Sequence, residues 1–339
     1  MILRVPSYYN KFSCIADKCQ DNCCIGWEID IDSKTMAKYE SISGEFGDRL
    51  RSSIASTPGC NSFATKADGR CPFLNENNLC DIILTLGEEN ICDICTNHPR
   101  FFEWFGSIKE GGIGLSCEEA ARLILSRSFS IVEIEIPDEE TFYPEDDEVF
   151  NFLSKARTRI IEHLQDKSIS IGNALYDISS YGKKLDDMVF DGDLNTDLIS
   201  QPIHKENLAF TCNVTKLLDR LLTLEQLDPN WTSFIKEHLA CASMNTDVNT
   251  SAWTFGTDKN YDSYLRNLAI YFIWRYFLKS AYDFDVLTRI NLMINSVCAL
   301  GYLFEQGKDF SLDSCATLAK SFSKEVEYSD VNVDLLGSN

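Results

Sequence analysis

Residues 14–24 read CIADKCQDNCC, and their four thiols, Cys14, Cys19, Cys23 and Cys24, open a run of ten that ends at Cys117. The other six are Cys60, Cys71, Cys80, Cys92, Cys95 and Cys117, and the rest of the 339-residue chain holds only four more. The intervals are short and uneven, with Cys71-x8-Cys80 and Cys92-x2-Cys95 following the first group. Such spacing suits several loops converging on a polynuclear metal or iron–sulfur centre. Glycine, proline and asparagine clusters at Thr57-Pro58-Gly59, Asn75–Asn78 and Gly111-Gly112 punctuate the same region. The first third of the chain is therefore expected to be loops and a few short helices wrapped around a metal-binding site.

The length allows one large or two ordinary domains, each with a core of its own, and the sequence divides more naturally into two. The opening MILRVPSYYN carries no apolar run of signal-peptide length. The longest apolar stretch, Leu268 to Leu278, is interrupted by Arg275 and is too short to cross a bilayer. The expectation is a soluble, cytoplasmic protein with no membrane partner. In a reducing cytosol a dense cysteine pattern points to metal binding or catalysis before disulfides. A formal charge of −21 disfavours nucleic acid, which needs clustered Lys and Arg against its phosphates.

Between Glu133 and Glu148 the chain reads EIEIPDEETFYPEDDE, nine acidic residues with no basic one and prolines at 137 and 144. A domain boundary is expected there, because neither a helix nor a packed strand suits the middle of such a segment. Beyond it the apolar residues Tyr261, Tyr264, Leu265, Leu268, Phe272 and Tyr276 recur at intervals of three and four, as one face of a helix requires. Similar runs cover Leu287 to Phe304, Phe152 to Leu164 and Val214 to Leu227. The fold class is thus mainly α: a cysteine-rich loop and short-helix metal domain over residues 1–132, an acidic linker over 133–148, an all-helical bundle over 149–330 and a loose tail over 331–339.

Zinc and iron–sulfur clusters both take four cysteine thiolates, so ligand type alone does not separate them. Cys92-x2-Cys95 suits one ion held from a tight turn, whereas adjacent Cys23 and Cys24 point apart. Ser116-Cys117-Glu118-Glu119 before an apolar run has the pattern of a capping box. It places Cys117 in the first turn of a helix, where unpaired amides and the helix dipole favour a thiolate. Gly112 and Gly114, in the run before that helix, leave room for backbone to approach a carboxylate or phosphate. His98 is near enough to Cys95 to be a ligand or to orient one, and Arg100 suits a substrate carboxylate. Tyr8, Tyr9, Trp27 and Trp104 are candidate walls for a methylsulfonium and a lysine stem, since aromatic faces attract cations. No dinucleotide loop, P-loop, nucleophile elbow or Cys-x3-Cys-x2-Cys motif is present.

Pro6-Ser7-Tyr8-Tyr9, Phe12-x-Cys14, Cys19-x-Asp21-x-Cys23-Cys24-x-Gly26-Trp27, Cys71-Pro72-Phe73-Leu74, Gly87-Glu88, Ile91-Cys92, Cys95, Pro99-Arg100 and Leu115-Ser116-Cys117-x-Glu119-Ala120-Ala121-Arg122 together resemble the bacterial flagellin lysine N-methylase family. Asn267-Leu268, Tyr271-Phe272 and Arg275-Tyr276-Phe277-Leu278 extend that resemblance into the helical half. The cysteine layout is also similar to a wider group of zinc- or iron-chelating domains. The resemblance implies methyl transfer from S-adenosylmethionine to lysines of flagellin and a four-iron iron–sulfur cluster, with zinc as the alternative metal. Carried onto this chain, the implied metal ligands are Cys14, Cys19, Cys23, Cys24, Cys71, Cys80, Cys92, Cys95 and Cys117. Cys60 has no matching context. Trp27, Arg100, Gly112 and Gly114 are the candidate cofactor-binding residues. The competing expectation is a non-enzymatic zinc- or iron-binding module whose helices contact other proteins.

Overall fold

The computed structural model describes residues 1–26, 29–57, 59–139, 147–208, 210–244, 252–256 and 258–338. They form two compact units, one of residues 12–101 with 117–119, the other of residues 1–11, 102–116 and 120–339. This division differs from a cut inside 133–148, because strands from the first third of the chain belong with the helices. Candidate Trp27 and residues 140–146 of the acidic stretch lie outside the described residues.

In the thiol-rich unit, α1 (Ser33–Ser41) and α2 (Gly44–Ser52) lead into a two-stranded ladder of β2 (Ile54–Thr57) and β3 (Cys60–Phe63). Two short helices follow, α3 (Asp81–Leu86) and α4 (Asp93–Asn97). Asp32 caps α1 by accepting from the Thr35 amide at 2.8 Å, and its other oxygen accepts from the Asp93 amide of α4 at 3.0 Å. Burial pushes this carboxyl up, but the amide bonds outweigh it and hold the group below its usual range. Tyr39, Leu50, Phe63, Phe73 and Ile82 form the core together with Cys71 and Cys92.

The other unit contains a sheet that the cysteine pattern did not announce. Its order is β4 (Arg100–Phe105), β5 (Ile108–Ile113), β1 (Ile2–Pro6), β6 (Ile131–Glu135). β1 runs parallel to β5 with Leu3 opposite Lys109, and antiparallel to β6 with Arg4 opposite Glu133. The start of the expected linker is therefore paired strand: alternate residues Val132 and Ile134 interrupt its acids, a period that suits one face of a sheet. Arg4 Nε also reaches Glu133 at 2.8 Å.

Helices make up the remainder, as expected: α5 (Glu118–Ser126), α6 (Glu148–Gln165), α7 (Ile171–Asp191), α8 (Thr196–Ser200), α9 (Val214–Thr223), α10 (Pro229–Met244), α11 (Lys259–Tyr276), α12 (Ser280–Asp283), α13 (Val286–Gly307), α14 (Leu312–Val326) and α15 (Asp330–Gly337). A two-residue ladder, β7 (Cys212–Asn213) with β8 (Ala252–Trp253), interrupts the all-helical expectation. α13 is apolar and long enough to cross a membrane, yet 78% of its apolar window is buried inside the protein, where it packs against α7, α11 and α15. It exceeds the Leu268–Leu278 run in apolar length. The expected tail is also structured: α15 buries Val333 and Leu336, and the Asn332 amide donates to the Glu225 and Glu325 carbonyls at 2.9 Å each.

Candidate functional site

None of the fourteen cysteines is joined in a disulfide. In the thiol-rich unit long-range backbone closures bring several of them together. Ile25 bridges Arg70, and the Cys71 amide donates to the Cys24 carbonyl at 2.8 Å, which sets residues 24 and 71 side by side. Leu74 bridges Cys80, so the 71–80 loop closes on itself. Cys80 and Cys92 occupy the positions immediately before α3 and α4. Cys24, Cys80 and Cys95 pack, partly buried, against the core that holds Cys71 and Cys92.

The electrostatics of these thiols follow from that proximity. A hydrogen bond with Cys23 and then burial push the Cys24 thiol up, with Cys71 and Cys95 adding to the effect. A hydrogen bond between Cys95 and Cys92 holds Cys92 below the ordinary thiol range and pushes Cys95 up. Burial raises Cys71 to about 11 and also raises Cys80, the latter against the amides of Ile83 and Ile82. Six thiols, Cys23, Cys24, Cys71, Cys80, Cys92 and Cys95, therefore form one interacting set. Tyr39 stands in it, its hydroxyl 3.7 Å from Cys92 Sγ.

The other three expected ligands are Cys14, Cys19 and Cys117. Glu118, buried at 2% exposure, accepts from the Gln20 amide at 2.9 Å and from Cys19 Sγ at 3.5 Å. Burial pushes Cys19 up to about 11, with Glu118 and Cys117 adding to the rise. Helix α5 begins at Glu118, so Cys117 precedes the helix rather than occupying its first turn. Cys14 is exposed, with the Ala16 amide 3.4 Å from its sulfur. Cys60 donates to Asp30 Oδ1 at 3.3 Å. Among the described residues no three His, Cys, Asp or Glu side chains close on one point as a single bound ion requires. The nine cysteines thus do not make one closed single-ion site.

The remaining candidates have structural surroundings of their own. The Arg100 guanidinium lies 5.3 Å from the Phe12 ring centroid, and its Nη1 is 3.4 Å from the Thr96 carbonyl. His98 is held below its ordinary range by burial. Gly112 lies within β5 and Gly114 just beyond it, so this glycine run is mostly strand and not a turn before a helix. The neighbouring Gly111 carbonyl accepts from Trp274 Nε1 at 2.9 Å. Tyr8 and Tyr9 are buried core residues. Trp104 donates to Glu139 at 2.9 Å and, with Phe102, flanks the Lys109 ammonium at 4.7 and 4.5 Å.

Two constellations escaped the sequence reading. One is Tyr39 in the thiol core; Thr35 and Tyr39, four apart, mark the buried face of α1. The other is a buried polar network in the helical unit, carried by Tyr271, Arg275 and Tyr276. Both phenols donate to Glu327 Oε2, at 2.7 and 2.8 Å, and Arg275 pairs with the same oxygen at 2.9 Å. Tyr271 Oη also accepts from the Leu115 amide at 3.1 Å. Burial pushes both tyrosines far above their ordinary range, keeping them neutral donors. The i, i+4 spacing of Tyr271 and Arg275 was the available signal.

A thiol-assembled unit in a chain that is otherwise a helical bundle with a small sheet defines a cysteine-rich, mainly helical class. The family model described as FliB lysine N-methylase C-terminal domain matches residues 157–337, more than half of the chain. The chain belongs to the FliB lysine N-methylase family. It is 30% identical over 127 residues to the flagellar biosynthetic protein FliU of Salmonella muenchen, a match covering 36% of this chain and 75% of that protein. Lysine-N-methylases of Salmonella typhimurium and Salmonella choleraesuis match at the same identity over the same share of this chain, which spans 32% of each. No solved structure matches the chain.

Proposed function

We propose that the protein is a lysine N-methyltransferase that acts in the cytoplasm on flagellin, taking its methyl group from S-adenosylmethionine. The observation that carries this reading is the family match across residues 157–337, supported by relatives named as lysine-N-methylases and as a flagellar biosynthetic protein. The reading includes a thiolate-held iron–sulfur centre of the four-iron type. The donor set fits such a group in kind: six mutually interacting thiols, none in a disulfide, stand against an apolar core. A cluster spreads its ligands over several metal atoms and needs no three donors at one point, unlike a single zinc ion. Cys71, Cys80, Cys92 and Cys95 would hold it, with Cys23 and Cys24 adjacent, and when bound it would supply one-electron chemistry or organise the methyl donor.

Methyl transfer needs the lysine amine in its neutral form, so the rate should rise with pH until the target amine is deprotonated. The test is anaerobic purification with iron and acid-labile sulfide analysis, then incubation with S-adenosylmethionine and the flagellin of the same organism. Mass added in steps of one methyl group at flagellin lysines supports the reading. A colourless, zinc-loaded protein that leaves flagellin unmodified supports instead a non-enzymatic metal-binding module.

A further inference from the structure

Tyr39 is wholly buried, and its ring stacks on Phe63 at 6.0 Å between centroids. Its hydroxyl is 2.9 Å from the Asn90 carbonyl, to which it donates, and 3.7 Å from Cys92 Sγ. A hydroxyl carries one proton and two lone pairs. With that proton on the Asn90 carbonyl, the contact to sulfur is a hydrogen bond only if the Cys92 thiol donates to the tyrosine oxygen. A metal-bound Cys92 has no proton to give, and between phenol oxygen and thiolate only the tyrosine can then be the donor. The geometry allows this, since Asn90 and Cys92 are both within reach of the same hydroxyl.

We propose that Tyr39 is a positioning residue for the thiolate centre: when Cys92 is bound to metal, the Tyr39 hydroxyl turns from the Asn90 carbonyl and donates to the Cys92 sulfur. The inference rests on the metal-centre part of the reading above. A hydrogen bond to a ligating thiolate draws charge from the sulfur, favours the more reduced centre and restrains the orientation of the ligand. The surrounding apolar core strengthens the effect, because no water competes for the sulfur.

The test uses the full chain loaded with iron and sulfide, as wild type and as Tyr39→Phe, which removes one oxygen and keeps the ring. Iron content and thermal melting establish that the variant is folded and loaded. The expected result is a more negative midpoint potential in Tyr39→Phe, read by redox titration of the visible absorption, at unchanged iron content. Identical potentials overturn the proposal. If the variant does not fold, the wild type suffices: its iron–sulfur stretching bands should shift between light and heavy water, and unshifted bands overturn the proposal. A wild-type chain that takes up no iron and sulfide refutes the centre itself, and this role with it.

Discussion

Glu110 on β5 and Arg157 on α6 form a two-pronged ion pair, both hydrogen bonds at 2.6 Å, with side chains 5% and 3% exposed. The Arg157 guanidinium also lies 4.2 Å from the centroid of Trp274. If the sheet and the helices are one folding unit, this buried pair ties the two by charge. Deleting one partner strands the other as an uncompensated buried charge, at a cost of about 3–5 kcal/mol. For a unit of this size each kcal/mol moves the melting temperature by roughly 2–4 °C, so Glu110→Ala or Arg157→Ala should lower Tm by about 6–20 °C. The double variant has no stranded charge and should lose clearly less than the sum of the two single losses. Circular dichroism melts of the four proteins complete the cycle. Single variants within about 2 °C of wild type, or a double variant whose loss equals the sum, would refute the assignment of β5 to the helical unit.

Three further outcomes follow from individual side chains. On the proposed thiolate centre, Cys92→Ser and Cys95→Ser should each cut bound metal and destabilise residues 12–101, because metal binding there would contribute folding free energy, whereas Cys60→Ser should leave metal content unchanged. Full metal in both of the first two variants would remove them from the ligand set. His163 is buried against Asp177 at 2.9 Å, and burial lowers its pKa. The unfolded chain therefore takes up the proton first, and stability is present above about pH 6.5 and is lost as pH falls. Denaturant midpoints should show less of this acid loss in His163→Gln, with His98 contributing a loss of the same sign that remains; an identical pH profile would exclude His163 as a source. Phe322 is fully buried, meeting Phe272 edge-on at 6.5 Å and Trp231 at 6.4 Å. Phe322→Ala should cost about 3–5 kcal/mol in urea unfolding, and a loss under about 1 kcal/mol would mean the core refills the space.

The helices were legible because their signal is local. In α11 and α13 the apolar residues recur at three and four over many turns, and each helix appears within a few residues of its expected span. The sheet was not legible, because its strands are five or six residues long and come from separate parts of the chain. In β6 a period of two was present, Val132 and Ile134 alternating with Glu133 and Glu135, but the acid count outweighed it. Pairing with β1 decides the matter: Arg4 opposite Glu133 gives one of those acids a partner that charge counting along the chain cannot see. The same limit applies to the thiols. Their density was readable, but nine cysteines that look alike in sequence meet different neighbours according to what closes their loops. Backbone closure between residues 24–25 and 70–71 gathers one set around Tyr39, while the Glu118 carboxylate holds Cys19 in another. Spacing rules describe residues that share one turn, as Cys92 and Cys95 do. The choice among the remaining thiols depends on contacts between distant residues, and in each set a group that is not a thiol, the Tyr39 hydroxyl or the Glu118 carboxylate, meets the sulfur.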